Sequence, residues 1–257
     1  MPTTKGPAQG ATTVLKISNE GAKRFFVGLS WNPAGQVGQK IELAKGPDKD
    51  IISKIAHVLF APFEFLRVGV LASSNLVVEA AAQSVRTKDD DMKGRDKKSA
   101  AYDLDLDCYI FGKDKNFLRL VGTEDAALID PSKRIYHTGE DQGGSAGPDD
   151  EQVFVETKGL PEEYYHLYFV VKCDSKYHFA QYDTPHVRLV DSKSGESQLE
   201  CNLGPVGGDK TDLTGAGMYN YLFCHVWREG DGWKFANVDR FLDENINWES
   251  DLPGLAA

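Results

Sequence analysis

The residues best suited to chemistry in this chain are carboxylates, and their spacing suits a hard cation. Asp103-Leu104-Asp105-Leu106-Asp107 alternates acid and leucine. Strand side chains alternate faces, so Asp103, Asp105 and Asp107 share one face while Leu104 and Leu106 turn to the core. Carboxylates this close raise the cost of ionising together. A divalent cation removes that conflict, and calcium accepts many oxygen ligands. A second acidic group lies in His137-Thr-Gly-Glu-Asp-Gln-Gly-Gly-Ser-Ala-Gly-Pro-Asp-Asp-Glu151. Its glycines let the backbone fold tightly and turn carbonyls inward. Glu140 and Asp141 stand at one end, and Asp149, Asp150 and Glu151 at the other. The plainer alternatives are a solvated acidic strand face and an ordinary surface loop. An EF-hand is a poor fit, because it needs Gly at its sixth position and Glu at its twelfth. Cys108 and Asp114 stand there.

Other chemical motifs are weaker. Gly143-Gly-Ser145-Ala-Gly147 satisfies the G-x-S-x-G pattern of a serine nucleophile, which needs a strand before it and a helix after it. Here Pro148 and an acidic cluster lead into a strand. His186 and His225 lie downstream as candidate bases, and nothing in the sequence sets them near Ser145. A serine hydrolase is therefore the competing enzyme class. Gly204-Pro-Val-Gly-Gly-Asp-Lys-Thr211 has Asp209 where a phosphate loop needs its second glycine, and it reads as a plain loop. The four cysteines form no C-x-x-C pair, so neither a zinc nor a redox motif is offered.

The elements that must position these groups read mainly as strands. Val14–Ile17 and Arg24–Trp31 flank a turn at Ser18–Gly21. After Ala101, residues 102–111, 152–156, 166–173, 186–190, 219–227 and 233–238 alternate or run apolar, and Arg228–Gly232 reads as a hairpin turn. Many short strands separated by Gly and Asp turns indicate a sandwich. Residues 46–99 differ: Ile51, Ile52, Ile55, Val58 and Leu59 recur at helical spacing, as do Leu76, Val77, Ala80, Ala81 and Val85. A charged linker follows at 88–98. Apolar stripes within 51–86 suggest a surface for a partner, a second copy or a membrane face. Pro62, Glu64 and Arg67 interrupt the run too often for a membrane span. The net charge of −10 over 257 residues excludes a uniformly basic nucleic-acid surface, and no nucleic acid is expected. The first residues carry no apolar signal core, which points to the cytoplasm.

Taken in order, Val27-Gly-Leu-Ser-Trp31, Tyr102-Asp-Leu-Asp105, His137-Thr-Gly139, Asp149-Asp-Glu151, Val187-Arg-Leu-Val190 and Gly232-Trp-Lys-Phe235 resemble the tellurium-resistance TerD family. The resemblance implies a β-sandwich with two neighbouring calcium sites. It also implies a binding or scaffold role in tellurite, chemical or phage stress rather than catalysis. By position, Asp103 and Asp105 match the family's acidic strand pair, and Asp149, Asp150 and Glu151 its acidic triplet. Glu140 and Asp141 stand where Asp and Asn are usual. Asn32 stands for an Asp, and Gly147-Pro148 for an Asp-Gly pair, which implies that one site is weakened.

The expectation is thus a mainly β protein, a TerD-like β-sandwich with a helical insertion. Residues 1–13 are a mobile N-terminus, 14–45 and 100–241 the sandwich, 46–99 the insertion with its linker, and 242–257 a C-terminal tail. Calcium is expected on Asp103, Asp105, Glu140, Asp141, Asp149, Asp150 and Glu151. Residues 51–86 are expected to make protein, self-association or membrane-surface contacts from a cytoplasmic location. The alternative to a stress module is a structural subunit of a larger assembly or, further off, the Ser145 hydrolase.

Overall fold

Because their apolar runs are short and bounded by turn residues, the described residues fold mainly as strands. The computed structural model describes residues 4–19, 21, 23–32, 103–124, 127–138, 149–173, 177–205, 214–242 and 246–256. The 46–99 segment, Glu140, Asp141 and Ser145 lie outside them. The described strands are β1 (Thr12–Val14), β2 (Arg24–Asn32), β3 (Leu104–Phe111), β4 (Phe117–Val121), β5 (Ile135–His137) and β6 (Glu151–Glu156). They continue with β7 (His166–Cys173), β8 (Asp183–Asp191), β9 (Ser197–Asn202), β10 (Asn220–Glu229) and β11 (Gly232–Leu242). One helix, α1 (Trp248–Leu255), follows.

These strands form two antiparallel sheets, in the orders β1-β11-β10-β7-β3-β4 and β5-β6-β2-β8-β9. The inner faces meet in one core. Leu104, Leu106, Cys108 and Ile110 of β3, with Phe169 and Val171 of β7, oppose Phe25, Val27 and Leu29 of β2 and Val153 and Val155 of β6. All are without exposure. The alternation expected for β3 is therefore present at Leu104 and Leu106.

The outer face of the six-stranded sheet is also apolar. Tyr109, Phe111, Tyr168, Val170, Leu222 and Leu242 form a second cluster with Leu252 of α1. This second covered face explains why β7 reads as a continuous apolar run instead of an alternating one. Asn247 caps α1 by accepting from the Glu249 N–H, and Glu249 and Asp251 complement the helix's positive end. Trp248 stacks on Tyr109, with ring centroids 5.8 Å apart. The stretch read as a tail is thus a helix docked on the sheet.

The N-terminal stretch read as mobile is held from residue 4 onward. Lys5 and Glu200 exchange both backbone hydrogen bonds. Asn237 donates its side-chain amide to the Pro7 carbonyl at 2.8 Å, and β1 pairs with β11. The segment thus runs from β9, the edge of one sheet, to β11 of the other, and covers strand edges that would otherwise be unpaired. The regular strand is Thr12–Val14, so of the run expected at 14–17 only Val14 lies in it.

A histidine pair lies on the outer face of the six-stranded sheet. His166 Nδ1 and His225 Nε2 are 2.9 Å apart, and His225 stacks on Tyr168 at 4.3 Å. Burial, then the neighbouring His166 and Lys115, push the His225 pKa down to about 3. His225, the candidate base of the hydrolase reading, is therefore engaged by another imidazole. Between about pH 6.5 and about 3 the unfolded chain binds a proton at this position that the native state refuses. The contribution of His225 to stability is accordingly constant above about pH 6.5 and falls as the pH drops below it, by up to ~1.4 kcal/mol per pH unit. His225→Phe, which keeps a ring on Tyr168, is expected to flatten that slope in urea unfolding measured at stepped pH. An unchanged slope would show that the pair does not govern it.

Candidate metal centre

Three consecutive acids open β6, and strand geometry sends each to a different place. Asp149 precedes the strand and folds over the outer face of the five-stranded sheet. Both of its oxygens are taken: Arg188 Nε donates to Oδ1 and Nη2 to Oδ2, each at 2.7 Å, and Gln152 Nε2 donates to Oδ2 at 2.8 Å. The Asp149 side chain has no exposure. It sits on Gly28, which is paired in register with Gln152 on one side and Arg188 on the other. A Cβ at position 28 would come within 2.5 Å of the Asp149 carboxyl carbon. The hydrogen bond to Asp149 is the first cause of a raised Arg188 pKa.

Asp150 anchors the end of β2. Its backbone N–H donates to the Leu29 carbonyl, and its Oδ2 accepts from the Trp31 N–H, both at 2.8 Å. Glu151 points inward. Its Oε2 accepts from the Leu106 N–H at 2.8 Å and lies 3.3 Å from His137 Nε2. Neither the Glu151 nor the His137 side chain is exposed. Pairing of β3 with β4 begins only at Cys108, so Glu151 supplies an acceptor to β3 beyond the end of its neighbour.

The β3 acids divide in the same way. Asp103 is half-buried at the start of the strand, and its carbonyl accepts from Tyr182 Oη at 2.8 Å. Asp105 is half-buried opposite Lys172. Asp107 is buried and ion-paired with Lys172, which also donates to Tyr109 Oη at 2.7 Å. Its carboxylate, like that of Asp149, occupies the space a side chain on a glycine would need, here Gly122.

The structure thus brings Asp150 and Glu151 to the ends of β2 and β3, and neutralises Asp149 and Asp107 with cations. Among the described residues no three His, Cys, Asp or Glu side chains converge closely enough to hold an ion. The donors at this end of the sandwich fit a hard cation. They are carboxylates and carbonyls, and the nearby Cys173 thiol is pushed up in pKa by burial and so stays protonated. Arg188, Gln152, Tyr182 and His137 were not among the residues picked out from sequence as site residues. One signal was available: Gly28 interrupts the apolar run of β2, and a glycine inside a strand marks a close approach.

Residues 78–247 match the TerD domain family. The chain belongs to the TerD family. Stress response protein SCP2 of Bacillus subtilis is 31% identical over 108 residues, which is 40% of this chain and 50% of that protein. The chain therefore spans half the length of that relative. The uncharacterized protein YceE of Bacillus subtilis is 28% identical over 157 residues, 55% of this chain and 73% of its own. In fold, the chain is similar to a homologue of the telluride resistance protein TerD from Streptomyces coelicolor A3(2). The TM-score is 0.51 at 13% identity, covering 90% of this chain and 98% of that one. The family match starts at residue 78, yet β2 lies centrally between β6 and β8. Strands ahead of the match therefore complete the TerD-like sandwich. No helix among the described residues is long and apolar enough to cross a membrane.

Removing the buried carboxylate in Glu151→Ala deprives both the Leu106 N–H and His137 of their partner. A loss of about 3 kcal/mol in the metal-free protein is expected by urea unfolding. Faster exchange of the Leu106 amide should accompany it. A loss below about 1 kcal/mol would mean that the contact contributes no more than an ordinary surface hydrogen bond.

Proposed function

We propose that this chain is a calcium-binding TerD module that acts in a stress response by binding or scaffolding, without a catalytic step. The observation that carries the reading is the fastening of Asp150 and Glu151 to two strands by backbone N–H groups. Each carboxylate gives one oxygen to a peptide donor, which fixes the position of the pair at this end of the sandwich. The glycine-rich acidic loop 139–148 enters the same strand in sequence and would add Glu140 and Asp141. Asp103 and Asp105 complete the proposed donor set. Calcium suits it better than magnesium, which demands a tight octahedron and keeps its waters. The stress setting is supported by the family and by the name of the SCP2 relative.

Calorimetric titration of chelator-treated protein tests the reading, together with thermal unfolding in calcium and in chelator. Calcium at a hundred-fold excess over its dissociation constant is expected to add about 2.7 kcal/mol of stability. Magnesium should add less. Asp150→Ala should weaken calcium binding about tenfold or more, since ligand charge sets affinity in such sites. The absence of both binding heat and any calcium-dependent change in unfolding temperature would overturn the proposal.

A further inference from the structure

We infer that Asp149 is a positioning residue and not a cation ligand: its clamp with Arg188, seated on Gly28, fixes the start of β6 and thereby holds Asp150 and Glu151 where they are. The functional meaning of the clamp rests on the calcium reading above, but the clamp itself does not.

The geometry separates Asp149 from its two neighbours. Its carboxylate accepts two parallel hydrogen bonds from a guanidinium and a third from Gln152. Bidentate, charge-assisted pairs of this kind are the strongest and most directional a carboxylate makes. A divalent cation on the same oxygens would lie beside the positive charge of Arg188, with the repulsion only partly screened because the carboxylate is buried. Asp149 is thus a poor ligand in the place where it sits.

It is well placed as a latch. Arg188 belongs to β8, Gly28 to β2 and Gln152 to β6, and the three lie in one row across the sheet. The side chain that bridges this row comes from Asp149, two residues before β6. Immobilising Asp149 removes the freedom of the peptide that leads into Asp150, whose side chain must reach the Trp31 N–H. One residue further on, Glu151 must reach the Leu106 N–H on the opposite sheet. The glycine is a condition of the arrangement, because any side chain at position 28 would occupy the volume of the carboxylate.

Gly28→Ala therefore unseats the latch while keeping every charge in the protein. Arg188→Gln breaks it and keeps every carboxylate. Arg188→Lys keeps the charge but loses the paired geometry, and serves as the milder variant should either of the others fail to fold. Amide exchange is read in the metal-free proteins at Trp31 and Leu106, with Phe169 in the core of the other sheet as a control for global opening. Exchange is expected to speed up about tenfold or more at Trp31 and Leu106 and to stay unchanged at Phe169, the signature of a local opening. Arg188→Lys should fall between wild type and Arg188→Gln. In the double variant Asp149→Asn/Arg188→Gln the effect should match that of the larger single change, because both remove one interaction. Calcium titration of the same proteins should show weaker binding in Gly28→Ala and Arg188→Gln, although neither removes a carboxylate. Unchanged exchange at Trp31 and Leu106 in all variants overturns the inference. So does calcium binding that weakens in Asp149→Asn but not in Gly28→Ala or Arg188→Gln, since Asp149 would then be a ligand. Faster local exchange in a protein whose wild type binds no calcium upholds the latch and overturns the calcium reading alone.

Discussion

A carboxylate with no exposure must find its donors inside the protein, and Glu151 finds one on the opposite sheet. That requirement fixes more than one side chain. Sliding β6 by a single residue would turn Glu151 outward, bring Gln152 into the core, and leave the Leu106 N–H without its acceptor. The register Leu29↔Glu151 and Val27↔Val153 is therefore set by a polar constraint as well as by the apolar alternation of Val153 and Val155. With that register in place, the fates of Asp149 and Asp150 follow from strand geometry. Three adjacent acids that would repel one another in an open loop are parted: one meets a guanidinium, one the end of a neighbouring strand, and one the interior.

Much of the fold was legible because its central strands carry strong patterns. The runs at 24–31, 102–111, 152–156, 166–173, 186–190, 219–227 and 233–238 all fall on β2, β3, β6, β7, β8, β10 and β11. What escaped were edges and covers. β4, β5 and β9 are short, and Phe117–Val121 is mostly half-exposed, so no alternation marks it. Residues 4–11 have no strand pattern, because what holds them is a set of hydrogen bonds to Glu200 and Asn237 rather than buried apolar side chains. The helix at Trp248–Leu255 contains Pro253 and Gly254, both poor helix residues. Docking of Leu252 and Trp248 on an apolar sheet face overrides that preference.

The site was legible in kind but not in detail. Composition and spacing point to carboxylates at one end of a sandwich, and Asp150 and Glu151 do stand at strand ends there. Their partners are distant in sequence: Arg188 is 39 residues from Asp149, and Leu106 is 45 from Glu151. Spacing along the chain carries no information about such pairs. It made Asp149 and Asp107 look equivalent to their neighbours. Asp107 is instead paired with Lys172 on the adjacent β7, and Asp149 with Arg188 on β8, across β2, each over a glycine that leaves room for the carboxylate.

This distribution of charge bears on how a cation would be received. In many small metal sites the unfolded chain has no site, and binding free energy becomes folding free energy. Here the contacts that place Asp150 and Glu151 are hydrogen bonds from backbone N–H groups. The excess negative charge around them is already reduced by Arg188 and Lys172. Under the calcium proposal, binding would lose little of its energy to ordering these two ligands, since preorganisation cuts that cost.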